Sequence, residues 1–254
     1  MDESRFKAPA ISVVVLVVLA MAEYSHEFFR RFAFYKGLRA RYPFYVPESI
    51  DKVAGALLCC LAIYWLHRLG WKNVLRELGI DAHVLRALIF ALLASSPMLI
   101  GFALTRKFSP RASIPSLLFF TAFSPFVEEL EFRGFGFWQL YRRARRPFWL
   151  AILPPAVLFA LGHVEKGQNW QEVVGIFLLT GTGAAVFSWL LDSWQSLWVP
   201  VALHALMNLW WELFSVSRTA VGGWLPFVSQ TSTVALAILL TVCAKRRGLL
   251  PKAA

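Results

Sequence analysis

Apolar runs close to the roughly 20 residues that an α-helix needs to cross a bilayer recur along almost the whole chain. Spans are expected near 8–28, 49–67, 87–105, 113–140, 147–164, 171–191, 195–214 and 227–244. Inside hydrocarbon every backbone N–H and C=O must find its partner within the chain, so such runs read as helices and not as open strands. Composition agrees: 58% of the 254 residues are hydrophobic and 16% charged, against roughly 25% charged in an ordinary soluble domain. Between the second and third runs, Leu69 to Arg86 sets charges against apolar residues at three- and four-residue spacing, the pattern of an amphipathic helix in the interface. The expected fold is all-α, a polytopic integral membrane bundle of about eight transmembrane helices plus that interfacial helix. It forms a single membrane domain over 1–254, with variable N-terminal spans in 1–86 and a core in 113–214.

The net charge of +11 does not imply nucleic acid. Basic residues fall in short clusters between apolar runs, at Arg30-Arg31, Arg106-Lys107, Arg142-Arg143 with Arg145-Arg146, and Lys245-Arg246-Arg247. That is how flanking anchors meet an anionic lipid surface, so the bilayer is the implied partner. With eight spans the side holding both termini carries 14 Lys and Arg and the opposite side 11, Arg133 being left out as intramembrane. The bias favours cytoplasmic termini. The first run, Ala8 to Ala22, has the length of a signal-peptide core, but Asp2 and Glu3 precede it and HEFFRRF follows, so it reads as a retained span. Cys59, Cys60 and Cys243 have no metal-site spacing and read as small buried apolar residues.

Ionisable groups inside such segments are costly and therefore informative. One set is Glu128, Glu129, Glu131 and Arg133; a second is His163; a third is His204 with Asn208. Glu129 and Arg133 are one turn apart and can neutralise each other. Glu128 lies about 100° around the helix and is free to point elsewhere. His204 and Asn208 share a face, as do Phe159 and His163. Structural readings compete at several positions. His163 alone could be a helix-to-helix hydrogen-bonding residue, and Glu131 reads as structural or as bordering a wet cavity. Glu23, His26, Glu27, Asp192 and Glu212 read as interface or helix-end residues, and His67 and His83 as solvated. Trp194, Trp198, Trp210, Trp211 and Trp224 read as interfacial belts.

What remains is a carboxylate, two histidines and an amide. A carboxylate with a histidine partner can activate water, and an Asn NH₂ with a His N–H can stabilise a tetrahedral oxyanion. No HExxH or GxSxG pattern suggests another protease chemistry. A carrier or proton-coupled channel using the same groups as a relay is the non-enzymatic alternative, against which stands the lack of an inverted repeat.

EELEFR (Glu128 to Arg133), FALGH (Phe159 to His163) and HALMN (His204 to Asn208) fit EExxxR, FxxxH and HxxxN in order. Over about Leu117 to Trp211 the chain thereby resembles the CAAX-protease and bacteriocin-processing (CPBP, Abi) family of intramembrane glutamic endopeptidases, whose best-known branch is the Ras-converting CAAX endoprotease. The resemblance implies that Glu128 and His163 hold and activate the attacking water. It makes His204 and Asn208 the oxyanion hole, with Glu129, Arg133 and Phe159 in support. It implies no cofactor, with zinc at Glu128, His163 and His204 as the second choice. The substrate would be a membrane-bound peptide or protein, cut near its C-terminal segment. The arginine- and tryptophan-rich composition points to a bacterial inner membrane. A degenerate relative serving as an immunity or scaffold protein is disfavoured by the intact polar set.

Overall fold

The computed structural model describes residues 7–106, 108–110, 112–214, 216 and 223–251; Asp2, Glu3 and Lys107, used in the reading above, lie outside them. Every regular element among the described residues is helical. Twelve helices suffice to describe it: α1 (Ala8–Glu23), α2 (Ser25–Phe29), α3 (Ala33–Arg41), α4 (Tyr45–His67), α5 (Trp71–Glu77), α6 (Val84–Ala94), α7 (Ser96–Thr105), α8 (114–143), α9 (Phe148–Leu161), α10 (Trp170–Trp194), α11 (Trp198–Leu213) and α12 (Trp224–Arg246). A short 3₁₀ turn, Val164–Lys166, follows α9.

Helix α8 is the axis of the bundle. Residues 129–140 are all buried, so this stretch has no lipid-facing side and is wrapped by α1, α4, α9 and α10. Its register is uneven, with Phe119–Phe123, Leu130–Phe137 and Gln139–Arg143 in π-helical geometry, an arrangement that recurs where helices carry function. Around it the outer helices present the opposite pattern. On α1, Ile11, Val15 and Leu19 face inward while Val13, Val17 and Met21 are exposed. On α4, Val53, Leu57 and Leu61 form a similar exposed row. Continuous apolar surface of this kind needs lipid, not water, as its solvent; the chain is an integral membrane protein.

Several sequence boundaries shift. The first span stops at Glu23, with Tyr24 leaving the helical region, so α1 has only 16 residues. The expected span 87–105 is two helices bent by 44° at Ser95. Pro97 explains the bend, since it has no N–H for the Leu93 carbonyl; the Ser96 hydroxyl donates to that carbonyl instead, at 2.8 Å. The interfacial helix expected over Leu69 to Arg86 is the shorter α5, followed by a turn through Gly79 into α6. Among the described residues four helices are long and apolar enough to cross a membrane, or five if the bent pair counts as one. Length and composition by themselves therefore support fewer spans than about eight, because α1 and α11 are short and α8 is charged.

Polar side chains that read as solvated or interfacial turn out to join helices. His67 is buried and its Nε2 lies 2.7 Å from Gln139 Oε1 on α8. Trp194 donates to Thr241 Oγ1, Trp198 to the Ile80 carbonyl and Trp210 to Ser95 Oγ, each within 3.0 Å. Those three indoles, each with an apolar body and a polar handle, tie α10 and α11 to α12 and to the turns before and after α6, whereas Trp224 is exposed as a belt residue should be. Of the cysteines only Cys59 is fully buried; Cys243 is exposed. Asp51, an impurity of the second span, is buried against the Tyr35 hydroxyl and ties α3 to α4.

Gly79 is a tight point of this packing. Its φ is +74°, and a Cβ there would sit 2.7 Å from the Trp138 ring. Gly79→Ala is expected to lower stability by about 1–3 kcal/mol through left-handed strain and overpacking, measured as a lower Tm in detergent.

Candidate active site

The ion pair expected one turn apart on α8 is present, deep in the bundle. Arg133 Nε lies 3.2 Å from Glu129 Oε2, with the side chains 2% and 0% exposed. That contact is Coulombic and not a well-aligned hydrogen bond, since neither atom meets hydrogen-bond geometry with any described partner. Aromatic faces complete the cradle: the guanidinium carbon lies 4.4 Å from the Phe159 ring centroid and 5.7 Å from that of Phe187. A weakly hydrated planar cation over a ring face is favourable in a dry site.

The other Glu129 oxygen reaches α11. His204 Nδ1 is 2.8 Å from Glu129 Oε1, and since a carboxylate can only accept, Nδ1–H donates there. Nε2 is then the ring nitrogen left toward Glu128, 3.9 Å from its Oε2. That is too long for a direct hydrogen bond and of a length that one bridging water spans. Asn208, one turn along the same face, donates from Nδ2 to the Phe120 carbonyl at 3.0 Å, which leaves its second N–H uncommitted to that bond.

Helix α9 ends at the site. Its His163 Nδ1 is 2.8 Å from the Phe159 carbonyl one turn back, so the imidazole presents Nε2 outward, and the two rings are 4.5 Å apart. Phe159 thus touches both the Arg133 guanidinium and His163, linking the ion pair to the histidine. Glu128 and His163 lie within electrostatic range of each other, without a direct hydrogen bond between them in this structure. Glu128, His163, His204 and Asn208, with Glu129, Arg133 and Phe159, are therefore gathered around one place from α8, α9 and α11.

Glu128 itself is not free, contrary to the expectation from helical geometry. Lys52 Nζ on α4 is 2.9 Å from Glu128 Oε1, and Ser124 Oγ donates to the same oxygen at 2.6 Å. Glu131 does not border a wet cavity: it is buried, pressed against Gly55 of α4, and its Oε1 has no hydrogen-bond partner among the described residues. Nor is Glu23 a simple interface residue, because its carboxylate fills the position that a Cβ would take at Gly162, next to His163. Lys52, Ser124 and Glu23 were thus missed by the sequence reading. Ser124 is one turn before Glu128, so spacing could have found it; Lys52 stands at the mouth of the second expected span, where a lysine reads as a membrane flank.

Among the described residues no group of three His, Cys, Asp or Glu side chains is arranged to hold a metal ion. The zinc set Glu128, His163 and His204 would have to draw together, since metal–ligand distances are about 2.0–2.2 Å and His204 Nε2 stands 3.9 Å from Glu128 Oε2.

The fixed pair predicts a large asymmetry. Arg133→Met leaves Glu129 buried without its cation and is expected to destabilise the fold by about 3–5 kcal/mol, read by unfolding in mixed detergent micelles.

Residues 110–210 match the family model described as Type II CAAX prenyl endopeptidase Rce1-like. All three motifs lie within the matched segment, and the match agrees with the family that those motifs resemble. No curated protein and no solved structure gives a significant match.

Proposed function

We propose, from the Rce1-like domain at residues 110–210, that this chain is an intramembrane endopeptidase in which Glu128 activates water for attack on a peptide bond. The observation that carries this reading is the chain of contacts Arg133–Glu129–His204, which fixes an imidazole so that Nε2 faces Glu128 Oε2. A histidine oriented through its second nitrogen by a buried carboxylate is the usual way of aiming one ring nitrogen at a reaction.

The steps follow from the groups present. Glu128 Oε2 takes a proton from water, with the outward nitrogen of His163 as the second group holding that water. The hydroxide adds to the carbonyl carbon, and the electron pair moves to the carbonyl oxygen. Asn208 donates its free N–H to this oxyanion, and His204 donates from Nε2, which requires the imidazolium because Nδ1–H is committed to Glu129. Collapse breaks the C–N bond, and the proton held by Glu128 passes to the leaving amine. Arg133 and Phe159 keep Glu129 and His163 in place throughout.

Beside the site an apolar groove of about 750 Å³ runs between α4, α6, α8 and α11, with Phe119, Phe123, Phe126 and Trp198 on its walls and Ala205, next to His204, at its inner edge. It suits a hydrophobic membrane-anchored segment, and CAAX-protease relatives act on membrane-associated proteins, so the proposed substrate is such a protein cut near its C-terminus. A bacterial inner-membrane location with cytoplasmic termini remains part of this proposal, as does catalysis without a cofactor.

Glu128→Gln, His163→Ala and His204→Ala are each expected to lower cleavage by roughly 10²-fold or more while the protein still inserts. The check is a comparison of C-termini in membrane proteomes of cells carrying wild-type or Glu128→Gln protein. New C-termini should vanish with the variant, and their persistence would sink the reading. Cleavage by purified protein should also survive chelation, whereas loss restored by added zinc would favour a metal enzyme.

A further inference from the structure

Lys52 lies on α4, outside the Rce1-like segment, yet its ammonium reaches the carboxylate that the mechanism uses. Nζ is 2.9 Å from Glu128 Oε1, and Ser124 Oγ meets the same oxygen at 2.6 Å from within α8. Both donors converge on one oxygen. The terminal torsion of a Glu side chain is broad and roughly two-fold, so an unanchored carboxylate would exchange its oxygens. With Oε1 held from two helices, Oε2 is the oxygen that faces His204 Nε2. The lysine is partly shielded, at 23% side-chain exposure, and Glu128 is at 17%, so solvent screens the contact less than at a surface.

We infer that Lys52 is a positioning residue that, with Ser124, anchors Glu128 by Oε1 and reserves Oε2 for the attacking water. The inference rests on the proteolytic reading. It gives the N-terminal half of the chain a part in the site: α4 delivers an ammonium across the bundle to a carboxylate of α8. Other charged or titratable groups face the pair from every side, namely Glu23 on α1, Glu131 on α8, and the two histidines His163 and His204. Among the described residues the ion pair of Lys52 is with Glu128. The ammonium is bonded to the carboxylate placed beside His204.

Two readouts on purified protein in nanodiscs test this. The first needs no substrate: a hydrophobic carbodiimide attacks carboxyl groups released from ion pairs, and labelling is mapped by mass spectrometry. Glu128 is expected to stay unlabelled in the wild type and to become labelled in Lys52→Met. The second is initial-rate kinetics on an internally quenched peptide with a farnesylated C-terminal cysteine motif. Per folded molecule, Lys52→Met should lose at least roughly tenfold in kcat with KM within about threefold, and Lys52→Arg should recover most of the rate. A merely structural lysine would lower Tm and leave kcat per folded molecule unchanged. Wild-type labelling and kcat in Lys52→Met overturn the inference, as does a rise in KM alone, which would mean that Lys52 touches substrate. Glu128→Gln separates the two levels. An inactive Glu128→Gln beside a fully active Lys52→Met removes only the anchor, whereas an active Glu128→Gln removes the proteolytic reading and the anchor with it. If the wild type leaves this peptide uncut, the labelling result decides. If Lys52→Met is not recovered folded, Ser124→Ala removes the other donor on Oε1 and should move both readouts in the same direction; wild-type values there overturn the inference.

Discussion

The fully buried pair of Glu129 and Arg133 sets the terms for the rest of the bundle. A charge in this position is tolerated only when it is paired and its remaining surfaces are occupied. The guanidinium lies on Phe159 and Phe187, and the second carboxylate oxygen holds His204, while Arg133 Nη1 and Nε have no hydrogen-bond partner among the described residues. Those neighbours come from α9, α10 and α11, so one electrostatic requirement of α8 fixes how three other helices approach it. The alignment of His204 follows from the same requirement, and the fold's cost and the site's geometry have a common origin.

Around that pair the fold separates a rigid region from a more open one. Residues 129–140 are enclosed on all sides, while Glu128, His163, His204 and Asn208 are only half-buried. A hydrolytic site in a membrane needs both properties. Its supporting shell must be dry so that the contacts are strong, and its reacting groups must reach water and a peptide. The change falls within one step of the chain, between Glu129, which is fully enclosed, and Glu128, which is partly exposed. Lys52 and Ser124 both reach Glu128 Oε1 and keep its carboxylate in one orientation.

Helical spacing made much of this legible. Glu129 with Arg133 was readable because i and i+4 side chains on an apolar helix have few alternatives to each other. The same spacing put His204 with Asn208 and Phe159 with His163. What spacing could not supply was contact between helices. Lys52 lies at the mouth of the second span, where a lysine reads as a membrane flank, and its partner is 76 residues away in sequence. The buried states of His67 and Glu131 and the interhelical bonds of Trp194, Trp198 and Trp210 were hidden for the same reason, because a polar side chain near a helix end looks alike whether it meets water or a neighbouring helix. The span count is a different matter: Pro97 bends the run expected over 87–105, and α8, expected as a span over 113–140, carries charges that length-and-composition criteria do not admit.

The central claim is that water, activated by Glu128, attacks a peptide bond at this site. Its most direct test incubates the purified protein in liposomes, in heavy-oxygen water and under chelation, with a membrane-anchored peptide bearing a prenylated C-terminal cysteine. The account predicts a truncated product with a single heavy oxygen in its new carboxylate from the wild type, and none from Glu128→Gln. An uncut peptide, or the same product formed equally well by Glu128→Gln, would contradict it.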